Sequence, residues 1–363
     1  MKIVILYNIF SPYRIDLFDY LSKMDEYDIT VLYLQKLEDN RQWEIDENNI
    51  KHKYLILNTK TFKLKQKLNV KYIHFPMNIK EVLNRINPDV VIGYGYNPTV
   101  FLSFRWAKRN NKRYISWTDG TLNSEKEINI IQKYLRKKIC KNSDALIASS
   151  TKAKEAQICY GADKRRIFIS YLTVDINKYM VERQCHNNNT ILYVGSLIKL
   201  KGIDLLINAL KDIKLPYKLV LVGAGNQEKW LKEYASKIGI IDNMEFCGFK
   251  QRDEIVKYYA DADIFILPTR QDCFGLVITE AMCAGLPVVV SKYADGAYDL
   301  VDDGENGFIV DPYDSKTLKE KIEFLLSNSD AIREMGRSSQ EKVKKFGIED
   351  VSKGFIEAIE YVR

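Results

Sequence analysis

The chain has 363 residues, 46% of them hydrophobic and 28% charged, with a formal net charge of +7. That length and composition are typical of a globular protein with two domains. No stretch approaches about 18 apolar residues, which argues against a transmembrane helix, and we interpret the apolar start MKIVILYNIF as a buried strand rather than a signal peptide. Six cysteines without a CxxC pair and three scattered histidines argue against a disulfide framework or a metal site, and indicate reduced thiols in a cytoplasm.

The positive charge belongs to the N-terminal half. Residues 1–172 contain 30 Lys and Arg against 18 Asp and Glu, a net of +12, whereas the remainder is net negative. This asymmetry predicts that the N-terminal half meets something anionic, such as a membrane surface, a phosphate-bearing substrate or nucleic acid.

Short apolar strands alternate with helical patterns through the N-terminal half, which is typical of parallel β/α units. Strands are predicted at Lys2–Tyr7, Ile29–Leu34, Asp89–Tyr94, Arg113–Trp117 and Asp144–Ala148, and helices at Val100–Arg109 and Ile128–Cys140. In such sheets ligands bind beyond the carboxyl ends of the strands. The residues expected around a cleft are therefore Ser11, Pro12, Tyr13, Arg14, Tyr96, Asn97, Thr118, Asp119 and Gly120.

The segment Asn48–Lys80 contains eight lysines and no acidic residue. Four of these lysines alternate with apolar residues, a pattern that resembles a basic amphipathic segment able to lie on an anionic bilayer. They are Lys60, Lys63, Lys65 and Lys67. A solvated helix or loop face is the alternative. Nucleic acid is not expected as a partner, because no nucleic-acid motif accompanies the lysines.

A second series of strands and helices begins near Ile191 and indicates a second doubly wound parallel sheet. Strands are predicted at Ile191–Val194, Lys218–Val222, Glu245–Phe249, Asp263–Leu267, Val288–Val290 and Gly307–Val310. Helices are predicted at Ile203–Leu210, Ser315–Leu326, Ala331–Phe346 and Val351–Val362. Glycine-bounded loops follow the first two strands, and Lys201 in the first loop is well placed to meet a phosphate near a helix start.

The stretch Pro268–Val290, PTRQDCFGLVITEAMCAGLPVVV, is the most informative part of the chain. A strand runs into a turn that contains Asp272 and Gly275, and a helix follows from about Leu276. The free N–H groups and the dipole at the start of such a helix favour an anion. The turn is therefore predicted to hold a diphosphate, while the carboxylates of Asp272 and Glu280 accept hydrogen bonds from hydroxyls on either side. A sugar nucleotide has that layout.

Three motifs each allow two interpretations. Asp119 in WTDGT is either a turn residue before glycine or a carboxylate that faces a substrate. Cys273 is either a nucleophile or a small, partly buried side chain. The pair Asp261 and Asp263 is either a metal chelator or, as we expect, part of the turn where a helix ends and a strand begins.

Five segments in order along the chain resemble motifs of family 4 of the retaining nucleotide-sugar glycosyltransferases. They are GSLIKLKG, LVGAG, FCGF, Pro268–Pro287 and the loop Ala294–Asn306. The resemblance covers nearly the whole chain and is strongest from Ile191 to Pro312. It implies the α/β fold called GT-B, with two Rossmann-like domains whose parallel sheets face each other across a cleft. Residues 1–172 would bind the acceptor and residues 173–346 the nucleotide sugar, with a C-terminal helix at 347–363 packing back on the first domain.

The resemblance also implies roles on the donor side. Glu280 would bind the ribose hydroxyls, Asp272 the sugar hydroxyls and Lys201 the phosphates. Backbone N–H groups of Phe274, Gly275 and Leu276 would meet sugar and phosphate, and Cys247, Gly248 and Phe249 would lie at the base. The other expected donor-side residues are Gly195, Ser196, Lys199, Gly223, Gly225 and Cys273.

The chain departs from the family pattern at four places. Asp272 replaces a glutamate, and Ser196 stands where an arginine is common, with Lys199 as a candidate substitute. Phe10–Arg14 replaces a Gly-Gly pair and is similar to a subset of capsule and lipopolysaccharide transferases. Asp119 stands near the place of a frequent histidine.

Together these features predict transfer of a sugar from a nucleotide diphosphate with retained anomeric configuration. UDP is the first candidate for the nucleotide. The expected catalytic residues are Lys201, Asp272 and Asp119, without a metal or other cofactor. The expected acceptor is a lipid-linked glycan or a polysaccharide of the cell surface, and the expected location is the cytoplasmic face of a membrane. A sugar-nucleotide epimerase of the same fold and a non-catalytic nucleotide-sugar-binding protein are the alternatives.

Overall fold

The computed structural model describes residues 1–38, 42–65, 70–181 and 188–363, and it divides into two compact units. The first unit consists of Met1–Leu172 with Ile348–Arg363, and the second of Thr173–Gly347. Each unit is built around a parallel sheet whose strands are joined mainly by helices. The predicted α/β class with two Rossmann-like domains is confirmed.

The first unit contains nine strands and five helices in its N-terminal part among the described residues. They are β1 (Lys2–Ile9), α1 (Pro12–Leu21), β2 (Asp28–Gln35), β3 (Lys53–Ile56), β4 (Thr59–Lys65), β5 (Val70–Pro76), α2 (Ile79–Ile86), β6 (Val90–Tyr94), α3 (Pro98–Arg109), β7 (Arg113–Thr118), α4 (Ile130–Asn142), β8 (Ala145–Ala148), α5 (Thr151–Cys159) and β9 (Ile167–Ile169).

Seven of these strands form one parallel sheet in the order β3-β2-β1-β6-β7-β8-β9. The strands are apolar on both faces because helices cover both faces. Along β1, Ile3 and Ile5 belong to one buried cluster, whereas Val4 and Leu6 belong to the other, as the alternation of side chains along a strand requires. The strand order reverses between β1 and β6, so the crevice expected for a ligand opens where these two strands end.

The strands β4 and β5 form a separate antiparallel hairpin with Lys60 opposite Phe75 and Lys63 opposite Tyr72. This hairpin in the lysine-rich segment was not predicted from the sequence. The β-branched Thr59 and Thr61, together with Phe62, favour a strand over a helix. Because side chains alternate on a strand, Lys60 and Lys63 point to opposite faces of the hairpin. Lys67 lies outside the described residues.

The second unit contains a six-stranded parallel sheet in the order β12-β11-β10-β13-β14-β15. Its elements are β10 (Thr190–Val194), α6 (Ile203–Leu210), β11 (Lys218–Val222), α7 (Glu228–Lys237), β12 (Met244–Gly248), α8 (Arg252–Asp261), β13 (Ile264–Leu267), α9 (Leu276–Cys283), β14 (Val288–Ser291), α10 (Ala297–Leu300), β15 (Gly307–Val310), α11 (Ser315–Leu326) and α12 (Ser329–Val343). The strand order reverses between β10 and β13, which defines the crevice of this unit.

The final helix, α13 (Ile348–Val362), belongs to the first unit. Its Phe355 ring packs edge-on against Trp117 at 4.8 Å, and Ser170 donates a hydrogen bond to the carbonyl of Val351 at 2.6 Å. Over the described ranges, no helix has both the length and the apolar character needed to cross a membrane.

Candidate active site

The crevice of the second unit lies between the loops that follow β10 and β13. The loop after β10 contains a short 3-10 helix, Lys199–Lys201, and the loop after β13 runs to the start of α9. The two loops are joined directly, since Arg270 donates its backbone N–H to the carbonyl of Leu200 at 2.8 Å and Thr269 donates its hydroxyl to the same carbonyl at 3.2 Å. The strand order therefore brings together two motifs that are about 70 residues apart in the sequence.

Lys201 and Asp272 form an ion pair in this crevice, with 2.5 Å between Nζ and Oδ2. Both side chains are partly buried, with 21% and 19% of their surface exposed. Burial acts to raise the pKa of Asp272, but the Lys201 ammonium and the N–H groups of Phe274 and Gly275 hold it below its ordinary value. The pair places a cation and an ionised carboxylate side by side at the start of α9.

The backbone donors at the start of α9 differ from the expectation. The N–H of Phe274 donates to Asp272 Oδ1 at 3.2 Å, and the N–H of Gly275 also donates to this carboxylate. An aspartate two residues before a turn N–H commonly makes this contact, which satisfies donors that a helix start leaves free. Two of the three N–H groups predicted to meet sugar and phosphate are thus directed at Asp272.

Glu280 lies in the middle of α9 and is partly buried. The hydroxyl of Tyr259 in α8 donates to its Oε2 at 2.6 Å, and the hydroxyl of Tyr179 also donates to the carboxylate. Burial raises the pKa of Glu280 to about 7, against the opposing effect of the two hydroxyls and of Arg252. A carboxylate in this environment exchanges its proton near neutral pH and binds hydroxyl hydrogens most strongly when ionised. No sequence motif indicated the two tyrosines, because they lie outside α9 in the chain.

The glycines predicted at the donor site have a packing role in the structure. A Cβ on Gly223 would lie 1.9 Å from the carbonyl oxygen of Gly195, and a Cβ on Gly225 would lie 2.3 Å from that of Leu197. The loops after β10 and β11 therefore approach each other more closely than any side chain allows. The Leu197 N–H donates to the carbonyl of Ala224 at 2.9 Å, which fixes the shape of the first loop.

An ion pair that no sequence motif indicated supports the same loops. Arg270 holds Asp204 with two parallel hydrogen bonds of 2.7 and 2.8 Å, and it also donates to the carbonyl of Lys199 at 2.6 Å. Asp204 accepts a further bond from Lys199 at 2.5 Å. Burial acts to raise the pKa of Asp204, but Arg270 and Lys199 lower it. Lys199, expected at the donor, thus lies in a network that shapes the loop, beside the ring of Trp230.

The remaining residues that were predicted on the donor side lie at the edge of this sheet or in the turn before α9. Cys247 and Gly248 end β12, and the N–H of Gly223 donates to the carbonyl of Gly248 at 2.8 Å. Burial raises the pKa of Cys247, which favours the neutral thiol. Ser196 accepts a hydrogen bond at its carbonyl from the Tyr193 hydroxyl at 3.0 Å. Phe249 and Cys273 are partly buried, the latter next to Asp272.

The Asp261 and Asp263 pair lies where we expected it, since α8 ends at Asp261 and Asp263 precedes β13. Asp263 is 3% exposed and its Oδ2 accepts the backbone N–H of Thr190 at 3.0 Å, which joins the starts of β13 and β10. Across the part of the chain that the structure describes, no three His, Cys, Asp or Glu side chains are grouped so that they could hold a metal ion. The expectation of a metal-independent reaction stays a prediction.

In the first unit, Asp119 follows β7 and is bound from three directions. It accepts hydrogen bonds from Arg14 at 2.9 Å, from the Tyr94 hydroxyl at 2.6 Å, and from the Ser149 hydroxyl. Thr118 forms the turn instead, because its hydroxyl oxygen accepts the N–H of Gly120 at 2.9 Å. The interpretation of Asp119 as a simple turn residue is therefore not supported.

Arg14 is 1% exposed, and its guanidinium lies 4.3 Å from the ring centroid of Trp117. Burial opposes its charge, but Asp119 raises the pKa of Arg14 above its ordinary value. Arg14 was expected to line the acceptor cleft, whereas the structure places it beneath Asp119, to whose Oδ1 it donates a hydrogen bond. The helix α1 carries Arg14 into that position because Pro12 begins the helix directly after β1.

The other residues expected on the acceptor side lie around the same sheet edge. Ser11 is buried, while Pro12 is half-buried at the first position of α1. Tyr13 packs edge-on against Trp43 with 6.1 Å between ring centroids. Tyr96 follows β6, where its hydroxyl lies 3.2 Å from the Cys140 sulfur and its ring lies 4.9 Å from the Arg136 guanidinium.

Two family models match the chain, one in each unit. Residues 2–150 match the model described as glycosyl transferase 4-like, and residues 177–342 match the model described as glycosyl transferases group 1. An uncharacterised glycosyltransferase of Methanocaldococcus jannaschii is 30% identical over 60% of this chain and 59% of its own length. The capsular polysaccharide biosynthesis glycosyltransferase CapM of Staphylococcus aureus is 30% identical over 54% of this chain and 53% of its own length. The chain thus spans somewhat more than half the length of these two curated relatives.

Solved structures match over the whole chain. The crystal structure of Anabaena HepE in complex with UDP has a TM-score of 0.81 at 18% identity and covers 99% of this chain and 100% of its own. The apo form of the lipopolysaccharide outer core galactosyltransferase WaaB has a TM-score of 0.74 at 18% identity, with 99% of each chain covered. At that identity the likeness concerns the fold, which is GT-B. The two family models match in order along the chain. The chain therefore belongs to the GT-B glycosyltransferases in which a glycosyl transferase 4-like domain is followed by a group 1 domain, a family of enzymes that transfer sugars.

Proposed function

We propose that this protein transfers a sugar from a nucleotide-diphosphate sugar to a lipid-linked or polysaccharide acceptor, with retention of the anomeric configuration. The observation that carries the proposal is the Lys201–Asp272 ion pair at the strand reversal, beside the start of α9. A cation, a helix N-terminus and an ionised carboxylate at one point suit a sugar diphosphate, because they can bind its phosphates and its hydroxyls together.

On the donor side, Lys201 and the positive end of α9 stabilise the diphosphate as it leaves. Asp272 accepts hydrogen bonds from the sugar hydroxyls, and Glu280 accepts them from the ribose. Cys247, Gly248 and Phe249 lie near the base. The proposal requires no metal, since Lys201 and the helix dipole supply the positive charge. UDP is the proposed nucleotide. The solved structures of HepE with UDP and with UDP-glucose support this choice, because HepE has the same fold.

The reaction breaks the bond between the donor C1 and the diphosphate oxygen and forms a bond from C1 to the acceptor oxygen on the same face. The acceptor proton passes to the leaving phosphate oxygen, so no separate base is needed. Asp119 orients the acceptor hydroxyl, and Arg14, which donates a hydrogen bond to Oδ1 of Asp119, holds this carboxylate in place.

The acceptor belongs to cell-surface glycan synthesis at the cytoplasmic face of a membrane. The excess of positive charge in residues 1–172 supports an anionic partner on this half. The similarity to CapM, named for capsular polysaccharide biosynthesis, and the fold shared with WaaB, named for the lipopolysaccharide outer core, support the same class of acceptor.

The test is to incubate the purified protein with radiolabelled UDP-sugars, with and without a lipid extract. The proposal expects a labelled product only when the acceptor is present. Epimerised donor without acceptor would instead identify an epimerase, and binding without turnover would identify a nucleotide-sugar-binding protein. The Glu280→Ala variant provides the control for the site, because it should lose turnover while its circular dichroism spectrum is unchanged. Full activity in that variant would remove the basis of the donor-site assignment.

A further inference from the structure

The first turn of α4 exposes large apolar side chains. Ile130 is 82% exposed, Ile131 is 67% exposed and Tyr134 is 61% exposed. Leu122, in the loop that leads to the helix, is 46% exposed. Single exposed apolar residues are ordinary on protein surfaces, but a group of them within one helical turn marks a surface that contacts something apolar.

The fold does not need these side chains. The opposite side of α4 holds the helix in place, because Ile139 and Cys140 are fully buried and Arg136 pairs with Glu125 at 2.8 Å. A capping box between Asn129 and Gln132 fixes the start of the helix. The exposed residues are therefore available for a function other than packing.

Four lysines continue along the same helix, and α4 contains no acidic residue. Successive residues of a helix are about 100° apart, so Ile130, Tyr134, Lys137 and Lys141 fall within an arc of about 60°. Lys133 and Lys138 flank this arc. The acidic residues within five positions of the ends of the helix in the sequence are Glu125, Glu127 and Asp144. Glu125 is paired with Arg136 and Asp144 with Lys108.

We propose that this face of α4 docks the protein onto an anionic lipid bilayer. The side chains of Ile130, Ile131 and Tyr134 enter the headgroup boundary, and Lys133, Lys137 and Lys141 contact anionic headgroups. A bilayer has an apolar phase directly beneath a dense negative surface. It can therefore contact the apolar and the basic side chains of this face at the same time. Nucleic acid has the negative charge but offers no apolar phase for two isoleucines.

This inference rests on the membrane part of the proposed function and names the element responsible. It also reassigns the leading role in docking from the hairpin lysines to α4. On the hairpin, Phe62 and Phe75 are exposed, but Lys60 and Lys63 lie on opposite faces. On α4, the apolar Ile130 and Tyr134 share one face with the basic Lys137 and Lys141, as docking to a plane requires.

The experiment is cosedimentation of the full-length protein with vesicles of phosphatidylcholine alone and of phosphatidylcholine with phosphatidylglycerol. The wild type should bind the anionic vesicles and release at high salt. Each basic residue near such a surface strengthens binding roughly fivefold, so the triple variant Lys133→Gln, Lys137→Gln, Lys141→Gln should bind roughly 100-fold more weakly. The double variant Ile130→Ser, Ile131→Ser should also lose binding at the same net charge.

The matched controls change exposed residues elsewhere. Lys211→Gln, Lys214→Gln, Lys237→Gln removes the same charge from the second unit, and Ile158→Ser removes an exposed isoleucine from α5. Both controls should bind like the wild type. Equal losses in the control and α4 triple variants would overturn the proposal in favour of a general charge effect. Unchanged binding in the α4 variants would overturn it as well, and would favour the hairpin if Lys60→Glu, Lys63→Glu, Lys65→Glu, Lys67→Glu then abolished binding.

Two further measurements separate this proposal from the others. If the wild type is a dimer by light scattering and Ile130→Ser, Ile131→Ser makes it monomeric without affecting vesicle binding, a second copy covers the face and the proposal is wrong. A thermal shift with UDP-glucose reports the donor site on the same samples. If the protein binds vesicles but neither binds nor turns over UDP-sugars, the proposed function is wrong and the docking surface is still supported.

Discussion

Replacing Glu280 by glutamine should remove a pH dependence from nucleotide-sugar binding. Burial raises the pKa of Glu280 to about 7, so the carboxylate changes from mostly protonated at pH 6 to mostly ionised at pH 8. If the ribose hydroxyls donate to the ionised form, the apparent affinity of the wild type for UDP-glucose should rise about tenfold between these two pH values. The Glu280→Gln variant should bind more weakly at pH 8 and show no such rise.

The assay is isothermal titration calorimetry with UDP-glucose at several pH values. UDP-glucose is preferable to UDP, because its diphosphate has no terminal phosphate that gains a proton in this range. Tyr259→Phe is the companion variant. It removes a hydrogen bond that favours the ionised carboxylate, so the midpoint of the wild-type transition should move to higher pH. A wild-type affinity that is constant from pH 6 to pH 8, or an equal slope in Glu280→Gln, would refute the assignment of Glu280 to the ribose.

The same pKa has a consequence for stability. A carboxyl group whose pKa is higher in the folded than in the unfolded state binds more protons when folded, so its contribution to the free energy of unfolding falls as the pH rises. For Glu280 the loss occurs between the ordinary pKa of 4.5 and about 7, with an upper limit of about 3 kcal/mol. Urea unfolding of the wild type and of Glu280→Gln at pH 5 and pH 8 measures it, and an equal pH dependence in both would contradict the raised pKa.

Three further predictions concern the second unit. Lys201→Met should lower kcat with UDP-sugars by about 100-fold or more, because it removes the cation opposite the leaving diphosphate; unchanged turnover would refute the role of Lys201. Asp204→Asn should lower the free energy of unfolding by about 3 kcal/mol and raise KM, because it breaks the two-bond pair with the partly buried Arg270; the exposed Asp212→Asn is the control. Gly223→Ala should lower the free energy of unfolding by at least about 3 kcal/mol, since the added Cβ would lie 1.9 Å from the Gly195 carbonyl. Gly239→Ala, at a φ of 79° against 144° for Gly223, would meet no atom within 4 Å and should cost only about 1 kcal/mol, so equal losses would contradict the packing argument.

Much of the fold was predictable because parallel strands are apolar on both faces. Strands such as Lys218–Val222 and Gly307–Val310, and the helices Ile203–Leu210 and Ser315–Leu326, have the predicted bounds. The hairpin of β4 and β5 was not predicted from the charge of the lysine-rich segment, although the alternation of lysine and apolar residues has the period of 2 that indicates a strand. The composition of the segment does not determine which residues of the two strands pair with each other.

The sequence by itself determined which chemical groups are available at the candidate donor site. The motif order identified Lys201, Asp272 and Glu280, and the turn before α9 indicated an anion site, because local spacing fixes which residues follow a strand and open a helix. It also determined that the N-terminal half is basic.

The tertiary structure decided which of these residues act on one another. The order of the strands places β10 next to β13, so Lys201 and Asp272 meet at 2.5 Å across 71 positions of sequence. The fold likewise buries Arg14 beneath Asp119 and surrounds Glu280 with two tyrosine hydroxyls. Those contacts set the pKa values of Asp272 and Glu280, because desolvation and neighbouring charge depend on distances in space and not along the chain.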